Sequence, residues 1–336
     1  MHKLIPVLLC AAVLLVCAAT WADAGETVTT TQDAVIFTPW RVAGIILLGG
    51  VIGFLSGLFG VGGGFLLTPM LNIVFGIPML VAVGSSLCQM IGTATTATMR
   101  HWKRSAVDAK LFFIMSGGMI SGVMVGVEIG EALKGLGEVT VFSAPVPWSW
   151  LVPMCCFVVL LTIIGGWTLH ESLSTRRKVA SGDDAPERRG LFTRLPIPPM
   201  TQLDTTTGRA VSLPAVAYLG FGTGMLQGLL GVGGGVVIVP ALIYWVGSRT
   251  RTAVGTSLLV IIVSSIAGTI RHGIAGNVHL GLVALMLISS TTGASLGAAL
   301  GHRIKSHSLR MNFALVVLVA LIVIVAKMLV RLRPLG

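Results

Sequence analysis

Long apolar runs separated by short polar breaks occupy nearly the whole chain. An N-terminal run, Leu4 to Ala19, is followed by ten further apolar segments. These lie near 41–60, 64–82, 84–101, 110–130, 148–170, 211–231, 235–248, 252–271, 279–300 and 311–331. A run of about 20 apolar residues matches the hydrocarbon core of a bilayer. The pattern predicts an all-α polytopic membrane protein. Residues 41–170 form a first membrane repeat, 171–209 a polar linker and 210–336 a second membrane repeat, with about five transmembrane segments in each.

Composition agrees with this pattern. Of 336 residues, 54% are hydrophobic and 10% charged, and the mean hydropathy is +0.93. Soluble domains carry about a quarter of their residues as charges, so too few are present to coat a water-exposed shell. The net charge of +11 gathers in a few loops. No stretch interleaves aromatic and basic residues, so the charge points to topology and not to nucleic acid. Lys3 before the first run and Ala22-Asp23-Ala24 after it predict a signal peptide over 1–24, cut after Ala24, the alternative being an uncleaved anchor. Either way, 25–40 faces the periplasm.

Alternating segments from that side puts Arg100, Lys103, Arg104 and Lys110 inside. Also inside are the linker with Arg176, Arg177, Lys178, Arg188, Arg189 and Arg194, then Arg249 and Arg251, then Arg303, Lys305 and Arg310. The outer loops carry little beyond Lys134 and Arg271. That distribution follows the positive-inside rule. The C-terminal tail, with Arg331 and Arg333, departs from it.

The second half repeats the first. GFLSGLFGVGGGFLLTPML (53–71) aligns without a gap to GMLQGLLGVGGGVVIVPAL (224–242), an offset of 171 residues from Gly53 to Gly224. The same offset aligns 82–87 with 253–258, Arg100-His101 with Arg271-His272, and Gly122, Gly126 and Gly130 with Gly293, Gly297 and Gly301. An odd number of segments per half inverts one half relative to the other, as in many secondary transporters.

Three adjacent glycines oppose helix formation by roughly 1 kcal/mol each relative to alanine. Gly62-Gly63-Gly64 and Gly233-Gly234-Gly235 are therefore expected to break the helix. Irregular backbone at membrane depth is tolerated where it is buried or lines a watery cavity. The helix beyond each break offers free N–H groups to an anion; the competing reading is close packing alone. Ser85-Ser86 and Thr256-Ser257 each follow a glycine at an expected helix start, where they would cap the helix or donate hydroxyls to an anion. Gln89 and Gln227 would orient a substrate or bond a neighbouring helix. Arg100, His101, Arg271 and His272 stand at segment ends, as a gate or mouth or as lipid-facing cations. Glu128 is the main acidic group within the segments.

The paired GVGGG blocks with their proline, the AVG-[ST]-S-L segments and the RH stretches resemble the sulfite exporter TauE/SafE family of membrane permeases. The likeness covers roughly 44–130 and 215–330. It implies movement of a small anion, a sulfur oxyanion or organosulfur acid such as sulfite or sulfoacetate, usually outward across the inner membrane. The N-terminal segment and the long central loop depart from the family pattern, but neither touches the motif.

The leading expectation is a secondary transporter with membrane lipid and a small anion as its partners. An uncoupled anion channel or a permease subunit for another small organic anion is the alternative. No enzyme, metal or cofactor is expected. Cys88, Cys155 and Cys156 sit in apolar segments and Cys10 and Cys17 in the signal region. His170, Glu171, His279, His302 and His307 form no catalytic constellation.

Overall fold

Apolar spans of this length satisfy their backbone only as helices, because lipid offers no hydrogen-bond partners. The computed structural model describes residues 38–102, 107–141, 144–180, 198–202, 210–301 and 306–332. The expected signal peptide over 1–24, nearly all of the 25–40 segment, and the linker stretches 181–197 and 203–209 lie outside the described residues. In the first half, α1 (Pro39–Phe59), α2 (Gly64–Phe75), α3 (Met79–Trp102), α4 (Ala109–Gly135) and α5 (Trp148–Ala180) follow one another. A short hairpin, β1 (Glu138–Val141) with β2 (Ala144–Pro147), precedes α5, and a second, β3 (Met200–Gln202) with β4 (Ala210–Ser212), precedes α6. The second half holds α6 (Leu213–Leu230), α7 (Gly235–Ala241) continuing as a π-turn over Leu242–Val246, α8 (Thr250–Ile274), α9 (Leu280–Gly301) and α10 (Ser306–Leu332).

Eight of the described helices are long and apolar enough to cross a membrane. The two exceptions are the segments after the glycine breaks. With 12 residues, α2 reaches only about 18 Å, short of a hydrocarbon core about 30 Å thick. It therefore turns back. A Cβ on Gly44, near the start of α1, would lie 3.1 Å from the Phe75 ring at the end of α2. So α1, the break and α2 form a hairpin whose ends share one side. The segment expected over 64–82 thus ends earlier, at Gly76, in a left-handed cap with φ 71°. The fifth segment runs longer than expected: α5 continues from 170 to Ala180, into the linker.

The inversion of the halves follows from packing. Glycines 53 and 57 of α1 meet the backbone of Ser290 and Ala294 of α9, in the same order along both chains, so the two helices are parallel. Gly118, Gly122 and Gly126 of α4 meet Ala217, Phe221 and Met225 of α6, again in parallel. Because α1 and α2 form a hairpin, α3 starts on the side where α1 starts; a Cβ on Gly130, near the end of α4, would lie 3.1 Å from Leu80 Cδ2, near the start of α3, so α4 ends on that side. Hence α1 and α4 oppose each other, and α6, the counterpart of α1, runs opposite to it. The helices α3 and α8 occupy the middle: their spans are 94% and 67% buried, against 28–50% for the other six. The lipid-facing side chains of the outer helices, such as Leu47, Phe113, Tyr218 and Ile288, are exposed.

Candidate functional site at the meeting of the two glycine breaks

Each break is set by its own sequence. Gly60, Gly62 and Gly63 take φ of 72°, 80° and 80°, and Gly231, Gly233 and Gly234 take 68°, 79° and 65°. A side chain pays about 1–2 kcal/mol for that region. The helix ends at Gly60 or Gly231, and a new one starts at Gly64 or Gly235.

The two breaks touch each other. A Cβ on Gly64 would collide with Gly231 O, and one on Gly235 would stand 2.5–2.6 Å from Val61 Cα, C and O. Met90 of α3 lies over the contact: its Sδ is 3.0 Å from the Cβ position of Gly64 and 2.5 Å from that of Gly233. Its counterpart, Ile261 of α8, lies 3.3 Å from that of Gly62. The six glycines 62–64 and 233–235 thus converge on the centre of the molecule, although 171 residues separate each from its partner.

The hydroxyl pairs lie elsewhere than expected. Ser85-Ser86 and Thr256-Ser257 are inside α3 and α8, several residues beyond Met79 and Thr250, so they do not cap their own helices. The glycine before each pair does not start a helix, and Gly84 permits close packing: a Cβ there would collide with Asn277 O. Instead these hydroxyls tie one repeat to the other. Ser257 Oγ sits 2.8 Å from Gly60 O and 2.8 Å from Val254 O, sharing its proton between them. Ser86 Oγ lies 2.8 Å from Thr68 Oγ1, which donates to Gly231 O at 3.3 Å. Ser85 Oγ accepts from His279 N (3.1 Å) and Thr256 Oγ1 from Asp108 N (3.0 Å). His279 and Asp108 are counterparts, and each accepts an N-terminal amide of its own helix, Leu282 N and Leu111 N. Burial lowers the pKa of His279, which keeps the ring neutral and able to accept.

Removing Ser257's hydroxyl should leave Gly60 O without this partner, at a cost of about 1–3 kcal/mol. We expect Ser257→Ala to lower the melting temperature of the purified protein, and Ser86→Ala to lower it less, because Thr68 still reaches Gly231 O. Equal melting temperatures for Ser257→Ala and the parent would remove this tie from the account.

Gln227 and Gln89 differ. Gln227 accepts from Ser264 Oγ at 2.9 Å and donates to Ser265 Oγ at 3.0 Å. Gln89 is fully buried, and neither of its amide atoms has a hydrogen-bond partner among the described residues. The arginine–histidine pair of the second half does not form an open mouth. Arg271 pairs with Glu128 of α4. His272 is buried, with Nε2 3.0 Å from Gly228 O and Nδ1 3.3 Å from Asn277 Nδ2. Asn277 continues to Glu131 and to Lys134 Nζ at 2.8 Å. The side chains of Arg100 and His101 fall outside the described residues.

Several residues of the centre had no motif to mark them. Met90 and Thr68 read as ordinary apolar-segment residues. Asn277 has no polar counterpart, since the first half has Ala106 at that position. The Ser264-Ser265 pair in an otherwise apolar run was the one available signal, and it marks the partner of Gln227.

The pattern of the family described as Sulfite exporter TauE/SafE matches residues 1–135 and 45–324. The chain belongs to the sulfite exporter TauE/SafE family. Among its relatives, the probable membrane transporter protein YunE of Bacillus subtilis is 28% identical over 291 residues, covering 82% of this chain and 93% of YunE. A probable membrane transporter protein of Xylella fastidiosa is 28% identical over 286 residues, covering 82% and 92%. The probable membrane transporter protein MJ0441 of Methanocaldococcus jannaschii is 25% identical over 287 residues, covering 79% and 88%. No solved structure matches the chain. This TauE/SafE-family chain is thus a multi-pass membrane transporter, and the glycine junction lies within the residues that the family pattern covers.

Proposed function

We propose that the protein is a secondary transporter that exports a small anion, such as sulfite or an organosulfonate, across the inner membrane through the glycine junction. The observation that carries this reading is the contact between two broken helices of opposite direction at the centre of an inverted repeat. Such breaks place backbone donors at membrane depth, where a helix N-terminus favours an anion. The side chains that surround them are neutral, so the donors would have to be amides and hydroxyls. The described centre is closed by Met90 and Ile261. Alternating access would part the two hairpins toward one side and then the other, with α3 and α8 as the fixed middle. The family's name supports sulfite as the first substrate to try.

The test is flux of labelled sulfite, and then of sulfoacetate, in vesicles that hold the purified protein. Saturable flux, accelerated by the same anion on the opposite side, is the expected result. Flux linear in concentration and without counterflow would favour an uncoupled channel. No flux of either compound through folded protein would sink the sulfur-anion assignment.

A further inference from the structure

The two breaks share a backbone but not a polar inventory. In the second half Gly235 N–H and both ends of the Gln227 amide have partners. Gly235 N–H bonds to Gly233 O at 2.7 Å. Gln227, whose Oε1 is 3.3 Å from the Cβ position of Gly234, is held at both ends by Ser264 and Ser265. Met119 fills the remaining space, its Cε against the Cβ position of Gly234.

The first half lacks each of these arrangements. Among the described residues, Gly64 N–H makes no bond like that of Gly235. Ser56 stands where the second half has Gln227, its Cβ 3.3 Å from the Cβ position of Gly63. Ser56 is 1% exposed, and its hydroxyl has no partner among the described residues. Ser290 is the counterpart of Met119 in the second half, and its buried hydroxyl is also without a partner among the described residues. Gln89, next in sequence to Met90, adds an amide with both ends open, where the second half has Val260. Buried polar groups are nearly always satisfied. Four open polar atoms on Ser56, Gln89 and Ser290, on helices that pack together, match an absent ligand better than a packing role.

We propose that the breaks are not equivalent: the first-half break, at the N-terminus of α2, binds a small, singly charged oxyanion, and the second-half break is a filled structural copy. This rests on the transport reading above and narrows it. The donors are an amide, two hydroxyls and backbone N–H groups, with no cationic side chain among them. The Born cost of burial rises with the square of the charge, so neutral donors favour a monoanion over a dianion. The filled copy has a use of its own: it gives the first-half break a rigid partner to close against.

The experiment uses the full chain with its five cysteines replaced by alanine, carrying either Ser56→Cys or Ser264→Cys. Both are buried serine-to-cysteine changes, one at each break, and each protein is first shown to be monodisperse in a lipid nanodisc. The probe is a methanethiosulfonate bearing one sulfonate, compared with its trimethylammonium analogue. Expected are complete modification of S56C by the sulfonate reagent, weaker reaction with the cationic one, protection by methanesulfonate, and no reaction of S264C. Equal reaction at both sites, faster reaction at S264C, or no reaction at either would overturn the proposal. A second readout is thermal: Gln89→Leu should raise the melting temperature by removing an unsatisfied amide, and Gln227→Leu should lower it. The reverse order would also overturn the proposal. Modification of S56C without sulfite flux would leave the one-sided site standing and sink the sulfur-anion reading. Saturable sulfite flux with both cysteines behaving alike would do the opposite.

Discussion

Gly64→Ala should abolish transport, although it adds one methyl group to a chain of 336 residues. The new Cβ would run into Gly231 O, a backbone atom of the other hairpin. Met90 Sδ, 3.0 Å away on another side, is flexible and could yield; a carbonyl held in place by Thr68 cannot. Relief therefore requires one hairpin to back away from the other, breaking the contact from which the opposite helix also starts. Overpacking of this kind costs about 1–3 kcal/mol and occasionally more. For a transporter the larger consequence is geometric, because the hairpins would no longer meet at one site. Gly76→Ala is the control for added backbone strain without a clash. Gly76 takes a left-handed φ of 71° that Gly64 does not share, and no atom lies within 4 Å of its Cβ position, so it carries strain and no collision. Flux in vesicles should vanish for Gly64→Ala and persist for Gly76→Ala. Sulfite flux through folded Gly64→Ala at the parent rate would show that the close approach of the breaks is not needed.

The repeat explains which features the sequence revealed. Helix breaks at Gly62–Gly64 and Gly233–Gly235 were legible because glycine's cost in a helix is local and the offset supplied a second copy. The inverted architecture was legible from segment parity and loop charge for the same reason. What the hydroxyls do was not. Ser85 and Thr256 look like caps of the helices that contain them, yet they hold the starts of α9 and α4 in the opposite repeat. That pairing joins residues 194 and 148 positions apart, beyond the reach of any local pattern. His272 reads as a terminal basic residue, but the chain folds Asn277 and Gly228 around it. Arg271 finds Glu128 across 143 residues. The fold was visible because it depends on periodicity and polarity; the assignment of each polar group depends on which helices meet.

Those meetings are themselves governed by glycine, and the same substitution should have opposite signs at two positions of one helix. Along α4, Gly118, Gly122 and Gly126 face α6 at four-residue spacing, and a Cβ on any of them would collide with a backbone carbonyl of α6. Small residues at this spacing let helix backbones approach where lipid supplies no hydrophobic drive. Gly117 is on the same helix, but nothing lies within 4 Å of its Cβ position. Gly122→Ala should therefore push α4 from α6 and destabilise the protein by about 1–3 kcal/mol. Gly117→Ala keeps every contact and gains helix propensity, up to about 1 kcal/mol. Melting of the two purified variants beside the parent reads the difference directly, with Gly122→Ala below the parent and Gly117→Ala at or above it. A pair of glycines in α9, Gly293 and Gly297, meets the carbonyls of Gly50 and Phe54 in α1 in the same way. Gly293→Ala, the counterpart of Gly122→Ala, should lower the melting point by a similar amount if the two seams are equivalent halves of one inverted design. A loss at Gly122 without one at Gly293 would mean that the α4–α6 seam alone bears the stability, and that α1 is the hairpin arm free to move.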